Sequence, residues 1–190
     1  MTPIKNIVLD IDQTLLEAND KIHNPLNSYR RETNVSSAAS TLSTPSISDE
    51  YVFTLRPYLA PFLNFLFENF NVGIWTAADT TYAQYVVDSI IFPLTHRKPQ
   101  FVLSRPDFDD CLAKGMGYKN LAYLAQRYPQ FNYNNTIIID DFDHVKMTNR
   151  ARCIAIPKFF AALKSNDTAL LSLINALKSV VLSGVLSGRK

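Results

Sequence analysis

Short apolar runs alternate along this chain with longer stretches in which apolar residues recur at helical spacing. Four runs have the length and composition of buried strands: 5–10, 72–76, 136–140 and 152–156. Three intervening stretches carry apolar residues on one helical face: 57–70, 79–90 and 117–128. Strands that alternate with helices predict an α/β fold, in which a parallel sheet is covered by helices on both faces. Within the second helix we expect Asp79 to be the N-cap and Tyr82 to be a core aromatic residue.

The stretch 169–186 is apolar enough to raise the question of a membrane span. Asn175 and Lys178 interrupt it, however, and the polar residues Asn166 and Asp167 precede it. We therefore expect a buried helix with Asn166 or Asp167 as its N-cap, and no membrane-spanning segment.

Two segments do not follow the alternation of strands and helices. Residues 19–50 show no long periodic pattern, and eight of the thirteen residues in 36–48 are Ser or Thr. This composition predicts a surface loop or a partly disordered insertion without an evident apolar hairpin. Residues 92–116 contain three prolines around a strand-like run at 101–103. We expect a small irregular or β insertion there that overhangs the functional site.

Composition places the chain among ordinary globular domains. Its 190 residues are 47% apolar and 19% charged, which predicts a single domain over 1–183 and a flexible tail over 184–190. A formal charge of +2 is too small to argue for nucleic-acid or membrane binding. Cys111 and Cys153 lack metal-ligand spacing and are expected to be buried thiols. With no signal peptide evident, a cytoplasmic or nuclear location is expected.

Pairs of acidic residues mark the ends of two predicted strands. Asp10 and Asp12 follow the first strand, and Asp140 and Asp141 follow another. Alternation puts Asp10 and Asp12 on one side of the chain, where their charges repel unless a cation or a proton lies between them. Because the carboxyl ends of parallel strands meet at one edge of a sheet, these acids and Thr76 are expected to share one site. Carboxylate oxygens there would suit Mg²⁺.

Five segments, in order over about residues 5–180, carry a family resemblance. They are Asp10-Ile11-Asp12-Gln13-Thr14-Leu15-Leu16, Leu55-Arg56-Pro57 through Phe62-Leu63, Trp75-Thr76-Ala77 through Tyr82-Ala83, Tyr118-Lys119-Asn120-Leu121, and Ile139-Asp140-Asp141. This set resembles the motifs of haloacid dehalogenase-type phosphatases and, within that superfamily, of the RNA polymerase II C-terminal-domain phosphatases. The resemblance implies a haloacid dehalogenase-like, Rossmann-type parallel sheet without a large cap domain.

The resemblance also implies a chemistry for the paired acids. Asp10 would be the nucleophile that forms an aspartyl-phosphate. Asp12 would protonate the leaving hydroxyl and later deprotonate the hydrolytic water. Mg²⁺ would be held by the Asp10 carboxylate, the Asp12 backbone carbonyl and Asp140. Asp141 would be either a weaker ligand or a group that orients a metal-bound water.

Three further residues are candidate contacts of the phosphoryl group. The resemblance implies that the Thr76 hydroxyl and the Lys119 ammonium bind its oxygens. Lys119 alone could equally be an ordinary exposed lysine at a helix start. Arg105 would lie near the substrate phosphate if the loose local similarity holds, and would otherwise be a solvated surface residue.

Three functions are compatible with this sequence. The first is a Mg²⁺-dependent phosphatase for phosphoserine or phosphothreonine in a protein or peptide, the RNA polymerase II C-terminal domain being one candidate. The second keeps the chemistry but acts on small metabolites or nucleic-acid phosphate ends. The third is a non-catalytic binding module on the same fold. The absence of a recognisable cap favours an open site and a macromolecular substrate over an enclosed metabolite.

Overall fold

The structure is a computed structural model and describes residues 3–20, 51–163 and 166–187. Its strands, in chain order, are β1 (Asn6–Leu9), β2 (Leu16–Asp20), β3 (Tyr51–Leu55), β4 (Asn71–Trp75), β5 (Val102–Leu103), β6 (Thr136–Asp140) and β7 (Cys153–Ala155). Five of them form a parallel sheet in the order β5-β4-β1-β6-β7, and β2 and β3 form a separate antiparallel pair. The predicted α/β fold with a parallel sheet is confirmed.

Seven α-helices connect and cover these strands within the described residues. They are α1 (Leu59–Asn69), α2 (Thr80–Val86), α3 (Phe92–Thr95), α4 (Arg105–Ala113), α5 (Leu121–Arg127), α6 (Asp143–Asn149) and α7 (Ala169–Ser187). A π-helical segment, Val87–Ile91, joins α2 to α3, and 3₁₀ turns occupy Arg150–Arg152 and Ala161–Leu163.

Side chains of the central strand alternate between two apolar clusters, one on each face of the sheet. Ile7 and Leu9 belong to the cluster that also contains the buried residues of α1, α2 and α7. Val8 belongs to the other, which contains buried residues of α4, α5 and α6. Because β1 is buried on both faces, it reads as a continuous apolar run, as central parallel strands do. The two-faced core holds β1 rigidly in place.

The register of the sheet aligns the carboxyl ends of its central strands. Leu9 pairs with Ile74 on one side and with Ile139 on the other. The residue after Leu9 therefore lies beside the end of β6. Asp10 and Asp140 are neighbours for this reason, and Thr76 follows the end of β4 at the same edge.

The segment 92–116 is more regular than the sequence predicts. Its strand-like run forms β5, an edge strand of the main sheet, and it is followed by α4. The expected β structure is therefore a short strand of the main sheet, and the description of 92–116 as an insertion stays a prediction. Pro106 lies in the first turn of α4, where proline breaks no hydrogen bond, and Asp107 accepts from the Ser104 N–H (3.0 Å), as in a capping box.

The segment 19–50 is bordered by regular structure at both ends. Asn19 and Asp20 lie in β2, which pairs with β3 across the whole of Tyr51–Leu55. The sequence showed no evident hairpin here, because the two strands are separated by too many residues to give a short-hairpin signal. Residues 21–50, which include the Ser/Thr-rich run, lie outside the described residues.

The C-terminal helix forms as expected, and Asp167 accepts a hydrogen bond from the Ala169 N–H (2.9 Å) as an N-terminal cap does. The helix α7 continues to Ser187 and so extends past Gly184, where the sequence predicted a flexible tail. Residues 188–190 lie outside the described residues, and the division of the chain into one domain and a tail stays a prediction. Among the helices that the structure describes, none combines the length and apolarity needed to cross a membrane.

Gly73 gives a test of the packing on the Val8 face. A Cβ atom at this position would overlap the Phe101 ring, whose Cε1 would be only 2.6 Å away. Phe101 cannot move aside easily because it packs on Tyr128 and Phe131 at ring-centroid distances of 4.3 and 4.9 Å. We expect Gly73→Ala to lower the free energy of unfolding by about 1–3 kcal/mol in urea titrations.

The double variant Gly73→Ala/Phe101→Ala is the control for this prediction. Removing the ring removes the overlap, so the double variant should be more stable than the sum of the two single effects implies. Strictly additive effects would show that the two residues do not oppose each other.

Candidate active site

The functional side chains converge at the carboxyl edge of the sheet, beginning with Asp10 and Asp140. The Asp10 N–H donates to the carbonyl of Ile139 at 3.1 Å, which extends the pairing of β1 and β6 by one residue. Asp140 is the last residue of β6 and is almost completely buried. The parallel register thus places two carboxylates side by side, as the sequence predicted.

Lys119 bridges these two carboxylates. Its Nζ lies 2.5 Å from Asp10 Oδ1 and 2.7 Å from Asp140 Oδ2, and the residue is only 3% exposed. The sequence left open an exposed lysine at a helix start. Instead, Lys119 lies in the loop before α5, with a left-handed backbone at φ 46°.

The loop that carries Lys119 is held by the buried side chain of Asn149. Its Nδ2 donates to the Lys119 carbonyl at 3.1 Å, while its Oδ1 accepts from the Leu121 N–H at 3.0 Å. A left-handed backbone is unfavourable for a lysine and needs such support from its surroundings. Asn149 was not singled out in the sequence, because its partners are about thirty positions away.

The site holds two carboxylates for one ammonium group. Burial disfavours the charge of Lys119, but the nearby carboxylates of Asp10 and Asp140 outweigh it and hold the pKa of Lys119 above its usual range. Burial raises the pKa of Asp140, and the negative charge of Asp10 raises it further. Because the two carboxylates outnumber the ammonium group, a further cation could neutralise the remaining negative charge.

Asp141 completes a three-carboxylate cluster. One oxygen from each of Asp10, Asp140 and Asp141 lies within 4.8 Å of the others, a spacing at which three ligands can contact one cation. The Thr14 hydroxyl donates to Asp141 Oδ1 at 3.3 Å, and Lys158 Nζ lies 3.8 Å from its Oδ2. Burial raises the pKa of Asp141, and Asp10 adds to the effect. Oxygen ligands in this number suit a hard divalent cation.

Asp12 lies beside this cluster and has a different partner. The Tyr82 hydroxyl donates a short hydrogen bond to Asp12 Oδ1. Burial raises the pKa of Asp12 to about 6; the Tyr82 hydrogen bond opposes this effect, and the charge of Asp10 adds to it. Tyr82 is buried, as expected, but the sequence did not reveal its polar contact. The N-cap predicted at Asp79, which accepts from the Tyr82 N–H at 2.8 Å, is confirmed.

A pocket of about 350 Å³ opens over these groups. Thr76 lies at its base, almost completely buried, and its Oγ1 accepts from the Ala78 N–H at 3.0 Å. Arg105, the first residue of α4, is exposed at the rim. The full lining is Asp10, Asp12, Gln13, Thr76, Ala77, Ala78, Arg105, Phe108, Lys119, Asp140, Asp141 and Phe142.

All seven residues singled out in the sequence therefore line one pocket. The sequence did not reveal two aromatic residues of the pocket lining, Phe108 and Phe142. Phe142 directly follows the paired acids, a position that could have suggested its role. Phe108 lies in α4, a helix that was not predicted because prolines are frequent in this segment.

The environment of Asp12 predicts how stability depends on pH. Between its ordinary pKa of 3.8 and its folded value of about 6, the folded protein binds more protons than the unfolded chain. Without divalent cations, this carboxyl group should therefore make stability fall as pH rises through that window. We expect Asp12→Asn to flatten the fall, measured as urea midpoints in the presence of EDTA.

Asp88→Asn is the matched control. Asp88 is exposed, and hydrogen bonds from Gln84 and Lys98 hold its pKa below the ordinary value, so it does not titrate in the window. Its substitution should leave the slope unchanged. An unaltered slope in Asp12→Asn would show that burial does not raise the pKa of this carboxyl group.

Comparisons with known proteins agree with this geometry. The model of the NLI interacting factor-like phosphatase family matches residues 5–185. A CTD phosphatase-like protein, 355R of Invertebrate iridescent virus 6, is 32% identical over 188 residues, which cover 94% of this chain and 97% of the relative.

Two solved structures share the fold. Fission yeast Fcp1, an RNA polymerase II CTD phosphatase, superposes with a TM-score of 0.56 at 21% identity; the match covers 94% of this chain and 51% of Fcp1, so the chain spans about half of that protein. A haloacid dehalogenase-like hydrolase from Xanthomonas campestris gives a TM-score of 0.57 at 11% identity, with both chains covered completely. The motif resemblance and the expected haloacid dehalogenase-like fold are confirmed, and the chain belongs to the NLI interacting factor-like phosphatase family.

Proposed function

We propose that this chain is a Mg²⁺-dependent phosphatase that removes phosphate from phosphoserine or phosphothreonine in proteins through an aspartyl-phosphate on Asp10. Membership of the phosphatase family supports the reaction class. The observation that carries the rest is the convergence of Asp10, Asp140 and Asp141 within 4.8 Å in a pocket that also contains Asp12. A binding module would not need a nucleophile, an acid and a cation site together.

Asp10 and Asp12 have different roles in the proposed reaction. An oxygen of Asp10 attacks phosphorus, the bond from phosphorus to the substrate oxygen breaks, and Asp12 gives its proton to that oxygen. Water then attacks the phosphorus of the aspartyl-phosphate, Asp12 takes a proton from this water, and the bond to Asp10 breaks to release phosphate. The raised pKa of Asp12, about 6, suits a group that first donates and then accepts a proton.

The donor set fits Mg²⁺. Carboxylate oxygens of Asp10 and Asp140 and the backbone carbonyl of Asp12 would hold the ion, and Asp141 would hold it directly or through water. The ion would neutralise the charge that develops on the phosphoryl oxygens. The Asp12 carboxylate lies outside the three-carboxylate cluster, which keeps it available for proton transfer.

Lys119, Thr76 and Arg105 would hold the phosphoryl group. Lys119 already touches the attacking Asp10 carboxylate and would contact a phosphoryl oxygen bound to it. The Thr76 hydroxyl at the pocket base would donate to a second oxygen. Arg105 at the rim has no side-chain partner among the described residues, so its five N–H donors are available to an incoming anion.

An open pocket supports a macromolecular substrate. Exposed Phe142 and buried Phe108 border it beside Arg105, and no covering domain lies over it among the described residues. The name of the viral relative and that of Fcp1 suggest a phosphorylated C-terminal domain of RNA polymerase II as a candidate partner. A cytoplasmic or nuclear location stays a prediction.

Substrate class is best tested with one panel. Phosphoserine and phosphothreonine peptides, sugar phosphates and 3′-phosphorylated DNA would be compared by kcat/KM under the same Mg²⁺ concentration. We expect the peptides to give the highest values. Preference for sugar phosphates or DNA ends would transfer the same chemistry to those substrates.

Asp10→Asn tests the nucleophile. We expect it to reduce Mg²⁺-dependent hydrolysis of p-nitrophenyl phosphate by at least about a thousandfold, because an amide cannot form the acyl phosphate. Beryllofluoride, which imitates an acyl phosphate, should bind the wild type and not the variant. Asp109→Asn, an exposed carboxylate on α4, is the control. Wild-type turnover in Asp10→Asn would refute the assignment.

Tyr82→Phe tests Asp12 as the general acid. Since the protonated form is required, kcat/KM should fall as pH rises through the pKa of Asp12, which burial raises above its ordinary value. The Tyr82 hydroxyl stabilises the ionised carboxylate, so its removal should raise the pKa of Asp12 and move this alkaline limb to higher pH. Tyr85→Phe, which removes a hydroxyl from the same helix, should leave the limb in place. A limb that does not move in Tyr82→Phe would exclude Asp12 as its source.

A further inference from the structure

Arg56 is a cationic side chain buried away from the pocket, at 1% exposure. It forms a two-pronged ion pair with Asp167: Nε donates to Oδ1 at 3.1 Å and Nη2 to Oδ2 at 2.9 Å. Asp167 is also buried, at 7% exposure. The guanidinium carbon also lies 5.5 Å from the centroid of the Phe159 ring. A buried pair of this kind is costly to desolvate, so its remaining contacts indicate what it does.

Those contacts lead to the loop that follows Asp10. Nη1 of Arg56 donates to the Thr14 carbonyl at 3.0 Å and, at a longer 3.4 Å, to the Gln13 carbonyl. Nη2 also donates to the Pro157 carbonyl at 2.8 Å. One guanidinium thus joins the loop after β1 to the segment after β7.

The loop needs this support because Gln13 has a left-handed backbone, φ 60°. Such a conformation is unfavourable for an ordinary residue and persists only where neighbouring groups enforce it. Its carbonyl accepts from the Phe159 N–H at 2.8 Å as well as from Arg56. Both donors come from outside the loop, and they fix the peptide between Gln13 and Thr14, next to Asp12 in the chain.

The same loop orients the site on its other side. The Thr14 hydroxyl donates to Asp141 Oδ1 at 3.3 Å. Of the two loop carbonyls that Arg56 contacts, the Thr14 carbonyl is the closer. Arg56 therefore acts on two groups that it does not touch, Asp12 through Gln13 and Asp141 through Thr14.

We propose that Arg56, oriented by Asp167, is a positioning residue that fixes the loop Gln13–Thr14 so that Asp12 and Asp141 are presented to the reacting phosphate. This inference rests on the proposed function for its catalytic part. Lysine cannot replace the arginine, because a single ammonium cannot reach three backbone carbonyls and a carboxylate in the same geometry.

The test must separate positioning from stability. Arg56→Lys keeps the positive charge but loses the several N–H donors of the guanidinium. Asp167→Asn keeps the Arg56 donors to Gln13 and Thr14 and weakens the ion pair. The apolar double variant Arg56→Met/Asp167→Leu removes both charges, and buried pairs replaced in this way often keep or regain stability. Arg97→Lys, the same exchange at an exposed site, is the matched control.

Three quantities would be measured: the thermal midpoint, kcat and KM for p-nitrophenyl phosphate with saturating Mg²⁺, and hydrogen exchange of the 11–15 segment by mass spectrometry. We expect Arg56→Lys to lose at least about tenfold in kcat with little change in KM. Asp167→Asn should lose less kcat for a similar loss of thermal midpoint. The double variant should keep a low kcat and fast exchange even where its midpoint recovers.

Recovery of kcat together with the midpoint in the double variant would overturn the proposal and leave the pair a structural one. The proposal would also be overturned if the kcat losses in Arg56→Lys and Asp167→Asn were simply proportional to the losses in their thermal midpoints. Absence of turnover in the wild type would instead reject the proposed function. In that case the exchange rates still decide, because unchanged exchange of 11–15 in Arg56→Lys would show that Arg56 does not hold the loop.

Discussion

Repulsion between Asp10 and Asp140 is the constraint on which the site depends. The parallel pairing of β1 with β6 makes them neighbours, and both are buried. Such a pair is tolerable only with positive charge nearby. Lys119 supplies one such charge, bonded to both carboxylates, and this requirement explains why a lysine is buried and held in a left-handed conformation before α5.

The groups around the acids are held mainly by buried polar side chains. Gln13 and Lys119 both have positive φ, and both line the pocket. Arg56 bonds the carbonyl of the first and Asn149 that of the second. The apolar clusters hold the strands, whereas these polar contacts fix the loops at their ends. Pre-organised loops of this kind keep reacting groups in place without rearrangement.

The sequence revealed those features whose cause is local. Strand ends that carry acids follow from short apolar runs, and their meeting follows from parallel topology, so Asp10, Asp140 and Asp141 could be predicted. Tyr82 and Arg56 could not be, because their partners lie 70 and 111 positions away. The β2–β3 pairing was missed for the same reason, and α4 because its prolines lie where a helix tolerates them.

The balance of charge restricts the order in which the site can fill. Asp10, Asp140 and Asp141 line the pocket together with Lys119 and Arg105, and Lys158 lies beside Asp141. Asp10 and Asp140 share the single ammonium group of Lys119, so these two carboxylates would repel an anion that approached them closely. A divalent ion bound to the carboxylates would reverse the sign of the charge around them. It would also leave Lys119 free to donate hydrogen bonds to phosphoryl oxygens. Under the proposed function, the cation would therefore favour the binding of phosphate as well as the cleavage of its ester.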